Sequence, residues 1–327
     1  HKPSPSSLQR SDQPPPPMLP PTVAAQVLGY VMLGYFVGFI FAPATILGLF
    51  FTFDYSIGSH HDLALSVVTC VAFAYAFGLI LYPRSIGLKR AALLGFTLDL
   101  VHQILWRIGG NSSNSSSRRS PSSALHITPL YDVQIATSTL MVLLALHANM
   151  EDDDRPWIIR TQLWAKERLA REWRWVSALV GFLLFLTSLV IFAAPDHVYH
   201  WYFDDGAAPG KSARGTLTHF LMWVAASFMC GLGVGALFDP ENKGLARALL
   251  VMMTALVLGP GASACSGRYH SLHPRAVVAT EAVGVCLWVL LMVANHWFLQ
   301  GCLFAPGEGA APEDRYDSEY YRTIART

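Results

Sequence analysis

Charge is what this chain has least of. Asp, Glu, Lys and Arg make up 14% of its 327 residues, where a soluble domain carries about 25%. The shortage argues against a water-facing globule. With a net charge of +1 there is no basic surface for nucleic acid, and no nucleic-acid motif appears. Cysteine is also scarce. The five residues Cys70, Cys230, Cys265, Cys286 and Cys302 lie in or at the ends of apolar runs. They lack paired metal-site spacing and read as small core residues. Neither a metal nor another cofactor is expected. A Walker loop, a Gly-x-Ser-x-Gly elbow and an Asp-Asp-x-x-Asp pair on two helices are all missing, which removes the usual signatures of nucleotide, acyl and diphosphate–Mg chemistry.

What the chain has in quantity is apolar sequence, 53% of it, with a mean hydropathy of +0.37. A membrane-crossing helix needs roughly 20 such residues. Eight runs qualify, at about 23–50, 63–82, 87–107, 129–148, 175–194, 216–238, 244–263 and 277–303. The expected fold is all-α: a polytopic membrane protein with eight transmembrane helices. Residues 1–21 are Pro- and Ser-rich and predict disorder. The first apolar run is too long for the core of a cleaved signal peptide. Gly34-x3-Gly38 and Gly231-x3-Gly235 predict close helix packing, and Pro43 predicts a kink.

The sequence also repeats. Gly78 to Leu94 returns at Gly235 to Val251 at a constant interval of 157, matching Gly78 with Gly235, Pro83 with Pro240, Gly87 with Gly244 and Arg90 with Arg247. Leu125 to Leu144 returns at Leu272 to Leu291 at an interval of 147, the first copy being preceded by the insertion GGNSSNSSSRRSPSS. Two gapless echoes in the same order predict a duplication. The halves are residues 22–150 and 175–304, with a polar tail over 305–327. Four helices per half make the repeats parallel, related by an axis along the membrane normal.

Lys and Arg are concentrated between the second and third runs, between the fourth and fifth, and between the sixth and seventh. This predicts both termini inside. The linker 151–174 carries Arg160, Lys166, Arg168, Arg171 and Arg174 among Trp157, Trp164 and Trp173, as a basic amphipathic helix on the inner membrane surface would. The insertion then faces outward with two glycosylation sequons, at Asn111 and Asn114. An endoplasmic reticulum or other endomembrane location with cytosolic termini follows.

Ionisable groups inside a bilayer are expensive and mark function by default. Asp99, Asp132 and Glu281 qualify. Asp99 is the deepest, and His102 lies three residues on, where the two could share a proton. Gln134 falls opposite Glu281 in the second echo, and His126 opposite His273. Seven of the twelve histidines fall in outer loops, with Asp62, Asp196, Asp204 and Asp205 nearby. Their spacing is that of solvated loop residues, without the His-x3-His of a strong metal motif. The late His-x3-His pair of alkaline-ceramidase-like zinc hydrolases is missing too.

Eight helices in about 330 residues, intramembrane Asp99, Asp132 and Glu281, and aromatic-rich helices together resemble the fungal integral-membrane terpene cyclases of meroterpenoid pathways, the ascochlorin-type group in particular. The resemblance covers the whole chain as architecture, without a signature matched residue by residue. It implies metal-free protonation of the terminal epoxide or alkene of a prenylated substrate, followed by cyclisation. A carboxyl group in apolar surroundings favours its neutral form and serves as a proton donor. Aromatic faces such as Tyr35, Tyr75, Tyr131 and Trp288 would stabilise a carbocation, although such residues also simply pack. The expected partners are the bilayer and a hydrophobic small molecule. Two other classes stay open: a proton-coupled small-molecule transporter, for which Gly259-Pro260-Gly261 supplies a broken helix, and a non-enzymatic scaffold or receptor.

Overall fold

The computed structural model describes residues 19–52, 59–112, 126–150, 174–203, 216–240, 242–269 and 272–298. Eight of its helices are long and apolar enough to cross a membrane: Pro21–Phe41, His60–Leu81, Ile86–Ile108, Tyr131–Asn149, Trp175–Ala193, Leu217–Phe238, Lys243–Cys265 and Pro274–Asn295. The chain is an all-α integral membrane protein. Residues 1–18 of the expected N-terminal tail, residues 151–173 of the expected inner linker, the second sequon and the C-terminal tail lie outside the described residues, as do Asp204 and Asp205, whereas Pro21 already opens the first helix.

The first half runs α1 (Pro21–Phe41), α2 (Pro43–Phe50), α3 (His60–Leu81), α4 (Ile86–Ser112) and α5 (Tyr131–Asn149). A two-residue strand β1 (Phe51–Thr52) pairs antiparallel with β2 (His126–Ile127) and ties the end of α2 to the start of α5. The second half runs α6 (Arg174–Ala193), α7 (Pro195–Tyr202), α8 (Leu217–Phe238), α9 (Lys243–Leu256), a π-helical stretch Val257–Gly261, α10 (Ala262–Cys265) and α11 (Pro274–Phe298). The first apolar run is thus two helices. Ala42, at φ −143° and ψ 53°, leaves the helical region and Pro43 opens α2, because proline disfavours a helical residue before it. The Gly259-Pro260-Gly261 stretch bulges without breaking. Its π-helical turn accommodates Pro260 and hands the chain on to α10.

In lipid, helices are held together by close approach and hydrogen bonds, since apolar burial drives little. Here α4 and α8 cross at Gly95 and Gly231. A β-carbon on Gly231 would stand 2.3 Å from Ala91 O, and one on Gly95 would stand 2.9 Å from Phe228 Cδ1. Fully buried Tyr75 of α3 fills the crossing. Its hydroxyl lies 3.1 Å from Ala91 O and 3.0 Å from Phe228 O, sharing one proton between helices α4 and α8. On α1 the tight contact differs from the expected one. Gly34 meets nothing, whereas a β-carbon on Gly29 would lie 2.8 Å from Ile80 of α3.

Polar residues gather at the two ends of the bundle. Leu19 O meets His147 at one end, where Arg84 lies in the α3–α4 turn, Lys89 and Arg90 near the start of α4, and Lys243 and Arg247 near the start of α9. At the other end His60 bonds Tyr199 at 2.6 Å, His61 bonds Thr218 at 2.7 Å, and Arg268 pairs with Asp62 at 3.4 Å.

Candidate functional site

Between α1, α2, α3, α4, α5 and α8 lies a cavity. Its walls are apolar and aromatic: Phe39, Phe50, Phe51, Phe96, Phe220 and Phe228 with Met32, Leu47 and Met141. The space between its lining atoms is about 750 Å³ with the open side counted, while the part that the centre of a water can reach is about 80 Å³. In this conformation it is therefore a slot. Of its half-buried lining residues, Tyr35, Phe39, Phe50 and Gln134 belong to α1, α2 and α5, and Val224 belongs to α8. Its deep ones, Phe51, Phe96, Asp99, Gln103, Tyr131 and Ser138, are buried. The slot therefore reaches from the α1–α2–α5 side of the bundle towards α4.

The aromatic floor is built by local rules. Pairing of β1 with β2 turns Phe51 inward, 4.8 Å from the Phe220 ring and 5.5 Å from that of Tyr131. Phe96 sits edge-on to Phe228 at 5.1 Å. These tilted and edge-to-face arrangements suit aromatic quadrupoles.

Among the described residues Asp99 is the only acid lining the slot. It stands thirteen residues beyond the start of α4, about 20 Å along the axis at 1.5 Å per residue. Gln103, one turn on, donates to its Oδ2 at 2.7 Å. Asp99 Oδ1 is buried and has no hydrogen-bond partner among the described residues. Gln103 also reaches Ser138 of α5, whose Oγ is 2.9 Å from its Nε2, and its main-chain carbonyl accepts from the Tyr131 hydroxyl at 3.3 Å. At the half-buried side, Tyr35 of α1 donates to Gln134 Oε1 of α5 at 3.2 Å.

The sequence candidates therefore separate. Asp99, Tyr35, Tyr131 and Gln134 meet around one cavity. His102 points elsewhere: its ring lies tilted beside those of Phe220 and Trp223 at 5.0 and 4.8 Å, and neither ring nitrogen has a hydrogen-bond partner among the described residues. The expected Asp99–His102 proton sharing is absent, because residues three apart on α4 here diverge, one towards α5 and one towards α8. Asp132 pairs with Arg107 at 2.9 Å, with side-chain exposures of 58% and 32%, outside the cavity. Glu281 of α11 lies over the π-helical stretch, so close that a β-carbon on Gly261 would be 2.2 Å from its Oε2. Tyr75 fills the helix crossing, and Trp288 donates to Thr254 at 2.9 Å to join α11 to α9. Backbone pairing places His126 in β2 opposite Thr52, and the His273 N–H bonds Tyr202 O at 2.9 Å. Asn111 falls in the last turn of α4. Among the described residues no group of three or more His, Cys, Asp and Glu could hold a metal.

Sequence reasoning missed Gln103, Ser138 and Phe220. Gln103 was within reach, as an amide one helical turn from an intramembrane acid. Ser138 and Phe220 depend on tertiary packing, which no local pattern encodes. Comparison with protein-family models, with curated proteins and with solved structures found no match.

Proposed function

We propose that this protein is a membrane-embedded terpene cyclase, in the manner of the fungal meroterpenoid cyclases it resembles, with Asp99 as the acid. One observation carries the reading: a single carboxyl group, with one oxygen held and the other unpartnered, lines an aromatic slot inside the bundle. Chemically, the Asp99 O–H bond breaks and its proton goes to the epoxide oxygen or terminal alkene carbon of a prenylated substrate. The resulting carbocation is attacked by the next double bond. Loss of a proton from a carbon beside the final cation ends the sequence and reprotonates the carboxylate. Faces of Tyr35, Phe96 and Phe220 would stabilise the passing charge. A slot bordered by half-buried residues of α1, α2 and α5 suits a hydrophobic substrate arriving through the bilayer. The test is cyclisation of a prenylated epoxide by membranes bearing the protein, against the same membranes with Asp99→Asn.

The finer architecture we propose is two parallel four-helix repeats, and reciprocal contacts support it. α3 and α8 span 60–81 and 217–238, an interval of 157 at both ends, and their caps Ser59 and Thr216 keep it. A β-carbon on Gly78 would meet Leu88 and Ala248; one on Gly235 would meet Leu245 and Ala91. Pro43 and Pro195 open α2 and α7 while Phe50 and Tyr202 close them, an interval of 152 in both cases. The second echo needs a different register. Phe51 pairs Ile127 and Phe203 pairs Leu272, while Thr128 N bonds Phe50 O and His273 N bonds Tyr202 O. These relations favour an interval of 145, which matches His273 with Thr128 in place of His126. In that register and at 157, the positions matching Asp99, Gln103 and Tyr131 are Leu256, Pro260 and Ala276, so one half would keep the chemistry.

The basic residues at one bundle end support cytosolic termini in an endomembrane; glycosidase-sensitive mobility at Asn111 or Asn114 tests this. A transporter is the second reading, favoured by Glu281 against the π-helical stretch. Substrate uptake into proteoliposomes, with no chemical change to the substrate, would select it.

A further inference from the structure

The two oxygens of Asp99 have different surroundings. Oδ2 accepts the hydrogen bond of Gln103 Nε2 at 2.7 Å, whereas Oδ1 is buried and has no partner among the described residues. Gln103 is itself held from a second helix. Ser138 Oγ lies 2.9 Å from its Nε2 and 3.2 Å from its Oε1, close enough to both amide atoms to keep the group in place. Asp99, Gln103 and Ser138 all line the slot. A neutral carboxyl group has one carbonyl-type oxygen and one hydroxyl oxygen, and an amide N–H can only donate. The carbonyl oxygen of a carboxylic acid is a much better acceptor than its hydroxyl oxygen, so the oxygen that Gln103 holds is assigned as the carbonyl one, which leaves the hydroxyl at Oδ1.

We infer that Gln103, held by Ser138, is the positioning residue for the acid: it fixes which oxygen of Asp99 carries the proton and presents Oδ1–H to the substrate. This rests on the slot being the reaction site. It also narrows the substrate. A buried hydroxyl without a protein partner is matched by a ligand that brings an acceptor oxygen, which an epoxide does and a plain alkene does not. In the transfer the Oδ1–H bond breaks, an O–H bond forms on the epoxide oxygen, and the C–O bond opens with its electron pair going to that oxygen. The carboxylate left behind keeps the Gln103 hydrogen bond, now charge-assisted and stronger. No group has to move. The proton lost at the end of cyclisation returns to Oδ1.

Infrared spectra of the full chain in phosphatidylcholine vesicles, without substrate, test the geometry. A carboxyl C=O stretch that Asp99→Asn removes is expected. Because a hydrogen bond to a carbonyl oxygen lowers its stretching frequency, Gln103→Met should shift that band upward, and Ser138→Ala, which deletes only a hydroxyl, should shift it less in the same direction. If Gln103→Met does not fold, Ser138→Ala carries the test. An unshifted band in the folded variants overturns the inference, as does the lack of any band that Asp99→Asn removes at a pH where the protein stays folded. In the cyclisation assay Gln103→Met should slow epoxide turnover more than alkene turnover; equal slowing also overturns it. A band that shifts as expected, alongside normal cyclisation by Asp99→Asn, would leave the positioning intact and remove the cyclase reading alone.

Discussion

Ser85 Oγ donates to Asn242 Oδ1 at 2.5 Å, and the two residues are 157 positions apart. Each also caps its own helix: Leu88 N lies 3.4 Å from Ser85 Oγ, and Leu245 N lies 3.1 Å from Asn242 Oδ1. At the other end of the bundle, His61 and Thr218 bond each other across the same interval. Hydrogen bonds between positions one interval apart are what the proposed two-fold axis would produce.

That relationship gives the first prediction. Ser85→Ala should cost about 1 kcal/mol, the usual loss for a helix cap. Exchanging the pair, Ser85→Asn with Asn242→Ser, should restore most of it, since either residue caps either helix. Thermal unfolding in detergent measures both. An exchange as unstable as the sum of its two single changes would count against equivalent positions.

Asp99→Asn keeps shape and hydrogen bonding but cannot donate an acidic proton. Turnover should fall by about 10²–10⁴-fold, the usual contribution of a general acid, with stability nearly unchanged. Asp132→Asn should stay near wild-type turnover, because that carboxylate sits with Arg107 outside the slot. His102→Phe should do likewise, replacing one ring among aromatic neighbours by another. Rates in membranes, normalised to folded protein, separate the three.

Filling the slot should block it without unfolding the bundle. Ala72 lines it from α3, so Ala72→Phe should abolish turnover while the melting temperature holds. A matching fall in melting temperature would mean that the slot has no room to fill.

Two glycines should behave oppositely. Gly231→Ala drives a methyl into Ala91 O and should cost about 1–3 kcal/mol, as overpacking does. Gly34→Ala meets open space and should be neutral or slightly stabilising through helix propensity. Unfolding midpoints of the two variants decide it.

The fold class was legible because bilayer thickness sets a length that apolar runs must match, and all eight runs correspond to helices. Pro43 was visible as a disturbance, but whether it kinks or divides a run depends on where Ala42 can go. The spacing of Gly34 and Gly38 looked like a packing seam, while the real seam on α1 is at Gly29, because rotation of a helix about its axis is set by its neighbours. Asp99 stood out by its cost in lipid. That it turns from His102 towards Gln103 was not legible, since both lie one turn away on the same helix and the choice is made by Ser138 on α5 and Phe220 on α8.

The slot's far wall comes from α8, through Phe220, Leu221, Val224 and Phe228, long after Asp99 has left the ribosome. An unsheltered Asp at helix centre costs about 2.5–3.5 kcal/mol to insert. Its amide partner is one turn away on the same helix and travels with it from the start; the serine follows with α5, and the aromatic wall arrives last. Biogenesis thus shields the acid in stages, and a ribosome stalled before α8 would leave in the membrane a first half whose Asp99 carboxyl group still lacks its aromatic wall.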